Sequence, residues 1–337
     1  MTKLTVKDFA SDLDVRWCPG CGDYAVLKAL QKTLADGGST LEDTLVVSGI
    51  GCSSRLPYYM ASYGFHSIHG RAPTLATGAK LSNPDLDVWV VTGDGDGLSI
   101  GGNHLLHVLR RNVDLQVVLF NNQIYGLTKG QFSPTSRQGT KSPSSPTGSI
   151  ETGLNPCVFA LGAGGQFVAR CIDTQAKVLQ PVLEAAKAFK GTGFVEVLQN
   201  CVIYNDGIFD GLKDKKTGPD HTLHVEHGQP MVFGVNKDKG LRVAKGGFGL
   251  EVVRLEGGIT QEDLLVHDET NIHLAQALAA LGENEGEPVV IGVLYRHEKQ
   301  EFVEGARHGL PEAPLSRAEK LKRLGATLRK AETWQVS

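Results

Sequence analysis

Val88-Trp-Val-Val-Thr-Gly-Asp-Gly-Asp96 decides the fold. Four apolar residues make a short buried strand, and a glycine-flanked acid turns the chain at its carboxyl end. The same arrangement recurs on both sides. Thr44-Leu-Val-Val47 stops at Ser48-Gly49, Leu115-Gln-Val-Val-Leu-Phe120 stops at Asn121, and Phe194-Val-Glu-Val-Leu198 stops at Gln199. Pro288-Val-Val-Ile-Gly-Val-Leu294 is a later strand. Apolar residues at three- and four-residue spacing predict helices over 23–35, 100–111, 175–189 and 272–281. Alternation of the two predicts an α/β fold: a mainly parallel sheet with helices on both faces. Open sheets of this kind bind ligands beyond the carboxyl ends of their strands. Cys52, Gly93-Asp94-Gly95, Asn121-Asn122 and Cys201 each follow such an end, so a single site on one edge is expected.

The whole chain narrows the classes of function. Its 337 residues can bury a sizeable core, and 41% hydrophobic with 21% charged residues is ordinary for a globular protein. A net charge of −3 and the absence of a basic cluster argue against nucleic acid as a partner. No apolar run approaches the roughly 20 residues of a membrane helix. Met1-Thr-Lys-Leu-Thr-Val-Lys-Asp8 lacks the apolar centre of a signal peptide, so a cytoplasmic protein is expected. Six cysteines are too few for a disulfide scaffold of this length and point instead to metal binding or packing. The division expected is residues 1–200 as the ligand-binding α/β domain and 201–337 as a C-terminal extension packing on it. The polar, glycine-rich stretch 205–254 predicts irregular structure or small hairpins. Gly139 to Gly148 reads as a loop, and Ser316 to Glu332 as a basic surface helix.

Asp94 offers a hard anionic ligand, Asn122 an amide oxygen, and Ile124 a backbone carbonyl, the donor types that magnesium takes alongside a substrate's phosphates. A helix beginning near Ile100 would aim its N-terminus at a diphosphate. His69, in His69-Gly-Arg71, reads equally as a diphosphate or substrate contact and as a structural histidine. His104 and His107, three apart on a helix, fit packing better than metal and receive no role. Cys18 and Cys21 form a Cys-x-x-Cys turn, and Cys52 and Cys201 lie at strand ends. Four thiolates suit a 4Fe-4S cluster, but zinc and redox dithiols share the Cys-x-x-Cys spacing. Cys157 is an alternative fourth ligand, and Cys171, in the strand-like Phe167–Ile172, reads as a buried hydrophobe.

Gly93-Asp-Gly followed by Asn121-Asn122 resembles the thiamine-diphosphate fingerprint. With Trp17-Cys-Pro-Gly-Cys-Gly22, Gly49-Ile-Gly-Cys-Ser-Ser-Arg55, His69-Gly-Arg-Ala72, Thr92-Gly-Asp-Gly-Asp96 and Ile124-Tyr-Gly-Leu-Thr-Lys-Gly-Gln-Phe-Ser-Pro-Thr135, the chain resembles the β subunits of 2-oxoacid:ferredoxin oxidoreductases. Lys129-Gly-Gln131 is most similar to the 2-oxoglutarate branch; a pyruvate-specific enzyme, or a non-redox thiamine decarboxylase or carboligase, is the alternative. The resemblance implies a thiamine-diphosphate-binding fold and oxidative, reversible decarboxylation of a 2-oxoacid to acyl-CoA and carbon dioxide. Electrons would pass through a 4Fe-4S cluster to ferredoxin. It implies that Asp94, Asn122 and the Ile124 carbonyl hold Mg²⁺, and that Cys18, Cys21, Cys52 and Cys201 hold the cluster. Ile50, Gly51, Cys52, His69, Gly93, Gly95, Asp96, Gly126, Leu127 and Thr128 would line the cofactor. By charge, Lys129 is expected to meet the distal carboxylate of 2-oxoglutarate, and Arg55 or Arg71 the other charges. The glutamate that activates the aminopyrimidine has no candidate motif here. The family places it in an α subunit, implying an α/β heteromer of α2β2 form, with coenzyme A as co-substrate.

Overall fold

A computed structural model describes residues 3–247, 249–307 and 315–330. Eleven strands can be traced among them. Eight form one sheet in the order β2 (Tyr63–His66), β1 (Thr44–Ser48), β3 (Asp87–Gly93), β4 (Leu115–Asn121), β6 (Thr192–Leu198), β5 (Phe167–Ile172), β11 (Val289–Arg296) and β7 (Thr222–Val225). All neighbours in it run parallel except β11 against β5. The central strands β1, β3, β4, β5 and β6 are buried or nearly so along their length, which is why they read as unbroken apolar runs rather than alternating ones.

Helices cover both faces. One layer of core joins α1 (Asp23–Asp36) and α6 (Ala176–Ala188) to Val91, Val118, Phe120, Val195 and Val197. The other joins α2 (Ala72–Ser82), α4 (Gly102–Arg111), α5 (Pro156–Gly162) and α8 (Ile272–Ala280) to Val90, Val117, Leu119 and Phe194. Alternate residues of each strand thus feed opposite cores. The chain runs from β1 outward to β2 and then returns to place β3 on the other side of β1, so the order reverses there.

Two expectations are corrected. The helix expected over 100–111 is α4, which starts two residues later at Gly102, and a separate short α3 (Asp94–Leu98) begins at the acid itself. The glycine pair at 101–102 ends the apolar periodicity, and the Gly101 backbone packs against Gly70, so α4's N-terminus meets protein. The region 205–254 does hold small antiparallel pairs, β8 (Val232–Phe233), β9 (Lys239–Val243) and β10 (Leu250–Arg254), but it also sends β7 into the main sheet. A short α7 (Asp210–Lys213) precedes them.

The first compact unit runs past residue 200 to Val303. Helix α9 spans Phe302–Arg307. In the second unit, α10 (Arg317–Leu328) is capped by Ser316, whose hydroxyl accepts from the Glu319 N–H while Glu319 reaches back to the Ser316 N–H. Residues 331–332 of the expected last helix, and Met1–Thr2 of the quoted N-terminus, lie outside the described residues. Among the described residues no helix is long and apolar enough to cross a membrane.

Candidate active site

The carboxyl ends of β1, β3 and β4 open a cleft at the point where strand order reverses. Ile50, Gly51 and Cys52 leave β1, His69 follows β2, Gly93 to Asp96 turn from β3 into α3, and Asn122, Ile124 and Gly126 to Thr128 follow β4; all of them line it. Asp23, Ser53, Phe120 and Tyr125 complete the wall.

Asp94 is 2% exposed. Its Oδ2 accepts from the hydroxyls of Ser133 (2.5 Å) and Thr135 (2.6 Å). Burial pushes its carboxyl up to about 6, against the pull of those hydroxyls. Asp96 is committed to the chain: Oδ1 accepts from the N–H of Ile50 (3.1 Å) and Gly70 (2.7 Å), and Oδ2 from Thr92 Oγ1 (2.7 Å). It therefore clamps the loops after β1 and β2 to the β3 turn. His69 Nδ1 lies 3.1 Å from the same carboxylate, but out of line for a hydrogen bond. Asn122 Oδ1 accepts from the Ile124 N–H (3.2 Å), Nδ2 donates to Gln199 Oε1 (2.9 Å), and the Asn122 carbonyl accepts from Asn205 Nδ2 (2.8 Å). The Tyr125 hydroxyl donates to the Gly95 carbonyl (2.9 Å), and its ring fills the space of a β-carbon at 95, which would lie 2.2 Å from Cε1. Only glycine fits there.

The cysteines gather beside this cleft. A β-carbon on Gly126 would lie 3.5 Å from the Cys201 sulfur and 3.9 Å from that of Cys52. Burial, Asp23, Cys201 and Cys18 push the Cys52 thiol up to about 11, with Arg55 opposing. Burial first, then Asp23, Cys52 and Cys201 push Cys21 up as well. The Cys18–Cys21 turn is closed by a backbone bond from the Cys21 N–H to the Cys18 carbonyl (3.0 Å), and the Trp17 indole fixes the Cys52 carbonyl (2.7 Å). Cys157 and Cys171 stand apart, fully buried. The Cys157 thiol donates to Glu196 Oε2 (3.2 Å), which also accepts from Arg170 Nε (2.7 Å) in a buried ion pair. Among the described residues no three His, Cys, Asp or Glu converge on one point as a single metal ion requires.

Other expected site residues lie outside the cleft lining. Lys129 is exposed on the loop just past it, with φ 76°. Arg55 is exposed on the 3-10 turn after Cys52 and donates from Nε to the Tyr59 hydroxyl (3.0 Å). Asp23, Tyr125, Ser133, Thr135 and Gln199 escaped the sequence reading. Ser133 and Thr135 lie within the quoted Ile124–Thr135 string, but their pairing with Asp94 depends on a loop that doubles back across β3 and β4. Burial and the neighbouring Asp173 push the Asp23 carboxyl up to about 7, with the Cys21 contact opposing. Nothing in a lone acid at a helix start announces this.

The chain's similarities agree with this geometry. Residues 49–197 match the family described as thiamine pyrophosphate enzyme, C-terminal TPP binding domain. The chain is 46% identical over 332 residues to 2-oxoglutarate oxidoreductase subunit KorB of Mycobacterium tuberculosis, covering 98% of this chain and 88% of that one. It is 45% identical over 206 residues to 2-oxoacid:ferredoxin oxidoreductase 1, subunit beta, of Aeropyrum pernix, covering 61% and 65%. Among solved structures it superposes on the 2-oxoglutarate:ferredoxin oxidoreductase from Magnetococcus marinus with 2-oxoglutarate, coenzyme A and succinyl-CoA bound, with a TM-score of 0.76, 30% identity, and 96% and 97% of the two chains covered. A thiamine-diphosphate fold with Cys52 and Cys201 at the cleft, and a relative of which 88% is covered, lead to one assignment: the chain belongs to the β subunits of the 2-oxoacid:ferredoxin oxidoreductases.

Proposed function

We propose that this chain carries the cofactors of an enzyme that oxidatively decarboxylates 2-oxoglutarate to succinyl-CoA and carbon dioxide, passing electrons to ferredoxin. The observation that carries the reading is the meeting, at one sheet edge, of a cleft walled by the Gly93–Asp96 turn and Asn122 with the thiols of Cys18, Cys21, Cys52 and Cys201. The residues present fit the groups implied. Asp94 is a buried carboxylate held by the hydroxyls of Ser133 and Thr135 and by backbone N–H groups, an arrangement that a divalent cation would complete. Asp94, Asn122 Oδ1 and the Ile124 carbonyl would hold Mg²⁺. The Cys52 and Cys201 sulfurs flank Gly126, and four cysteine thiolates are the ligand set that a 4Fe-4S cluster takes. When bound, thiamine diphosphate supplies a nucleophilic carbon for a 2-oxoacid, and the cluster a one-electron store.

The chain's own residues bind and orient. Asp96 holds Ile50 and Gly70 in place around the cofactor's pocket. Tyr125, bonded to Gly95, forms one wall of it. Lys129 and Arg55, both exposed beside the mouth, would meet the substrate's carboxylates. The cleft lining includes no glutamate. The activating glutamate would come from an α subunit, against which residues beyond 200 would also pack, in an α2β2 complex of the cytoplasm.

The test is anaerobic co-purification with the partner subunit, iron and zinc analysis, and assay with 2-oxoglutarate and pyruvate. Iron with faster turnover of 2-oxoglutarate is expected. A colourless, zinc-bearing protein would point instead to a non-redox thiamine enzyme, and a preference for pyruvate would overturn the substrate assignment.

A further inference from the structure

One side chain lies between the two halves of this site. Gln199 follows β6 and is 1% exposed. Its N–H donates to the Asn121 carbonyl (2.9 Å). Its stem passes Gly22, where a β-carbon would come within 2.9 Å of Gln199 Cγ, so residue 22 has to lack one. Nε2 donates to the Asn200 carbonyl (2.6 Å) and also to the Cys21 sulfur (3.2 Å). A carbonyl on that side fixes which end of the amide is nitrogen. Oε1 therefore faces the other way and accepts from Asn122 Nδ2 (2.9 Å). With its nitrogen so engaged, Asn122 must present Oδ1 on the side of Ile124.

We propose that Gln199 is a positioning residue shared by both cofactor sites: one end of its amide orients Asn122 Oδ1 toward a divalent cation, and the other gives an N–H to the Cys21 sulfur that stabilises the reduced cluster. The inference rests on the reading above that Asn122 holds Mg²⁺ and Cys21 a cluster. Reduction adds one electron to the cluster, and its sulfur ligands share the added charge. A donor to sulfur favours that state and raises the reduction potential. Partners that orient a ligand typically change metal affinity 10–100-fold when lost. Because the two contacts belong to opposite ends of one amide, substitution can separate them. Gln199→Glu still accepts from Asn122 but has no N–H for Cys21. Gln199→Leu has neither.

The experiment uses the anaerobically purified complex with its partner subunit, as parent, Q199E and Q199L. Dithionite titration followed by electron paramagnetic resonance gives the cluster's midpoint potential. Mn²⁺ binding in the presence of thiamine diphosphate, read from the free-ion signal, gives cation affinity. Q199E should lower the potential while leaving Mn²⁺ affinity within about twofold of the parent. Q199L should also lower the potential, by less because it adds no charge, and weaken Mn²⁺ about 10–100-fold. With a parent that holds cluster and cation, an unchanged potential in Q199E overturns the sulfur contact, and unchanged Mn²⁺ affinity in Q199L overturns the Asn122 contact. If Q199L does not assemble, Gln199→Met, which also lacks both contacts, takes its place in the same two measurements with the same expected and overturning results. A parent without cluster or cation fails at the earlier reading, and the proposal falls with it.

Discussion

Among the described residues no cation pairs with the Asp94 carboxylate. Its two hydroxyl partners offer hydrogen bonds but no positive charge. Asp94→Ala should therefore abolish Mg²⁺-dependent binding of thiamine diphosphate, measured by calorimetry; retained affinity would remove Asp94 from the metal site. Lys129 belongs to a different class of residue. It is exposed and outside the cleft lining, so Lys129→Gly should leave folding alone and raise KM for 2-oxoglutarate much more than for pyruvate. Equal losses on both substrates would assign it to the loop rather than the substrate. At this scale, what was legible was residue type at a strand end. Asp94, Asn122 and Cys52 stand where the chain has to turn, and such turns face one edge of the sheet. What stayed hidden were partners brought in by long-range folding. Ser133 meets Asp94 and Gln199 meets both Asn122 and Cys21, and no spacing rule connects those numbers.

Among the elements, α5 shows how a cap can serve two masters. Asn155 Oδ1 accepts from the Val158 N–H (3.2 Å) at the helix start and from Arg170 Nη2 (3.0 Å), while Nδ2 donates to the Ala279 carbonyl (2.8 Å). A cap is worth about 1 kcal/mol, and a hydrogen bond lost by a buried charge at least as much. Asn155→Ala should cost about 2–3 kcal/mol in urea denaturation, and a midpoint equal to the parent's would refute the pairing. The segment before α8 is pinned in turn by His267, 1% exposed, whose Nε2 meets the Val293 carbonyl of β11 (2.8 Å). Burial holds this imidazole below its ordinary value of 6.5, against the pull of that carbonyl. The unfolded chain then binds a proton that the folded one refuses. Stability from the neutral ring is complete above pH 6.5 and fades as pH falls toward the lower folded value. Melting temperature should decline below pH 6.5, and His267→Leu should flatten that decline; a parallel slope in the variant would exclude this ring as its source. Strands were legible here because buried parallel strands are continuous apolar runs. The short α3 was not, because its five residues, Asp94–Leu98, are mostly glycine and aspartate and carry no apolar periodicity. Nor was β7, a four-residue strand with one exposed histidine, whose place depends on pairing with distant β11.

For the molecule as a whole, the proposed reading makes catalysis a property of two chains. Purified alone without oxygen, this chain should carry about four iron per copy and show no turnover until its partner is added. Turnover by the single chain would place the missing acid here after all. The strand order has a consequence for biosynthesis. The sheet's middle is filled by β6, which is made after both β4 and β5, so the two strands it will separate leave the ribosome with bare hydrogen-bonding edges. Until Leu198 has emerged, a half-made chain offers those edges to any other extended peptide nearby. Escape from aggregation is then a race between translation and collision, and a pause after β5 has emerged but before Leu198 has would be the costliest.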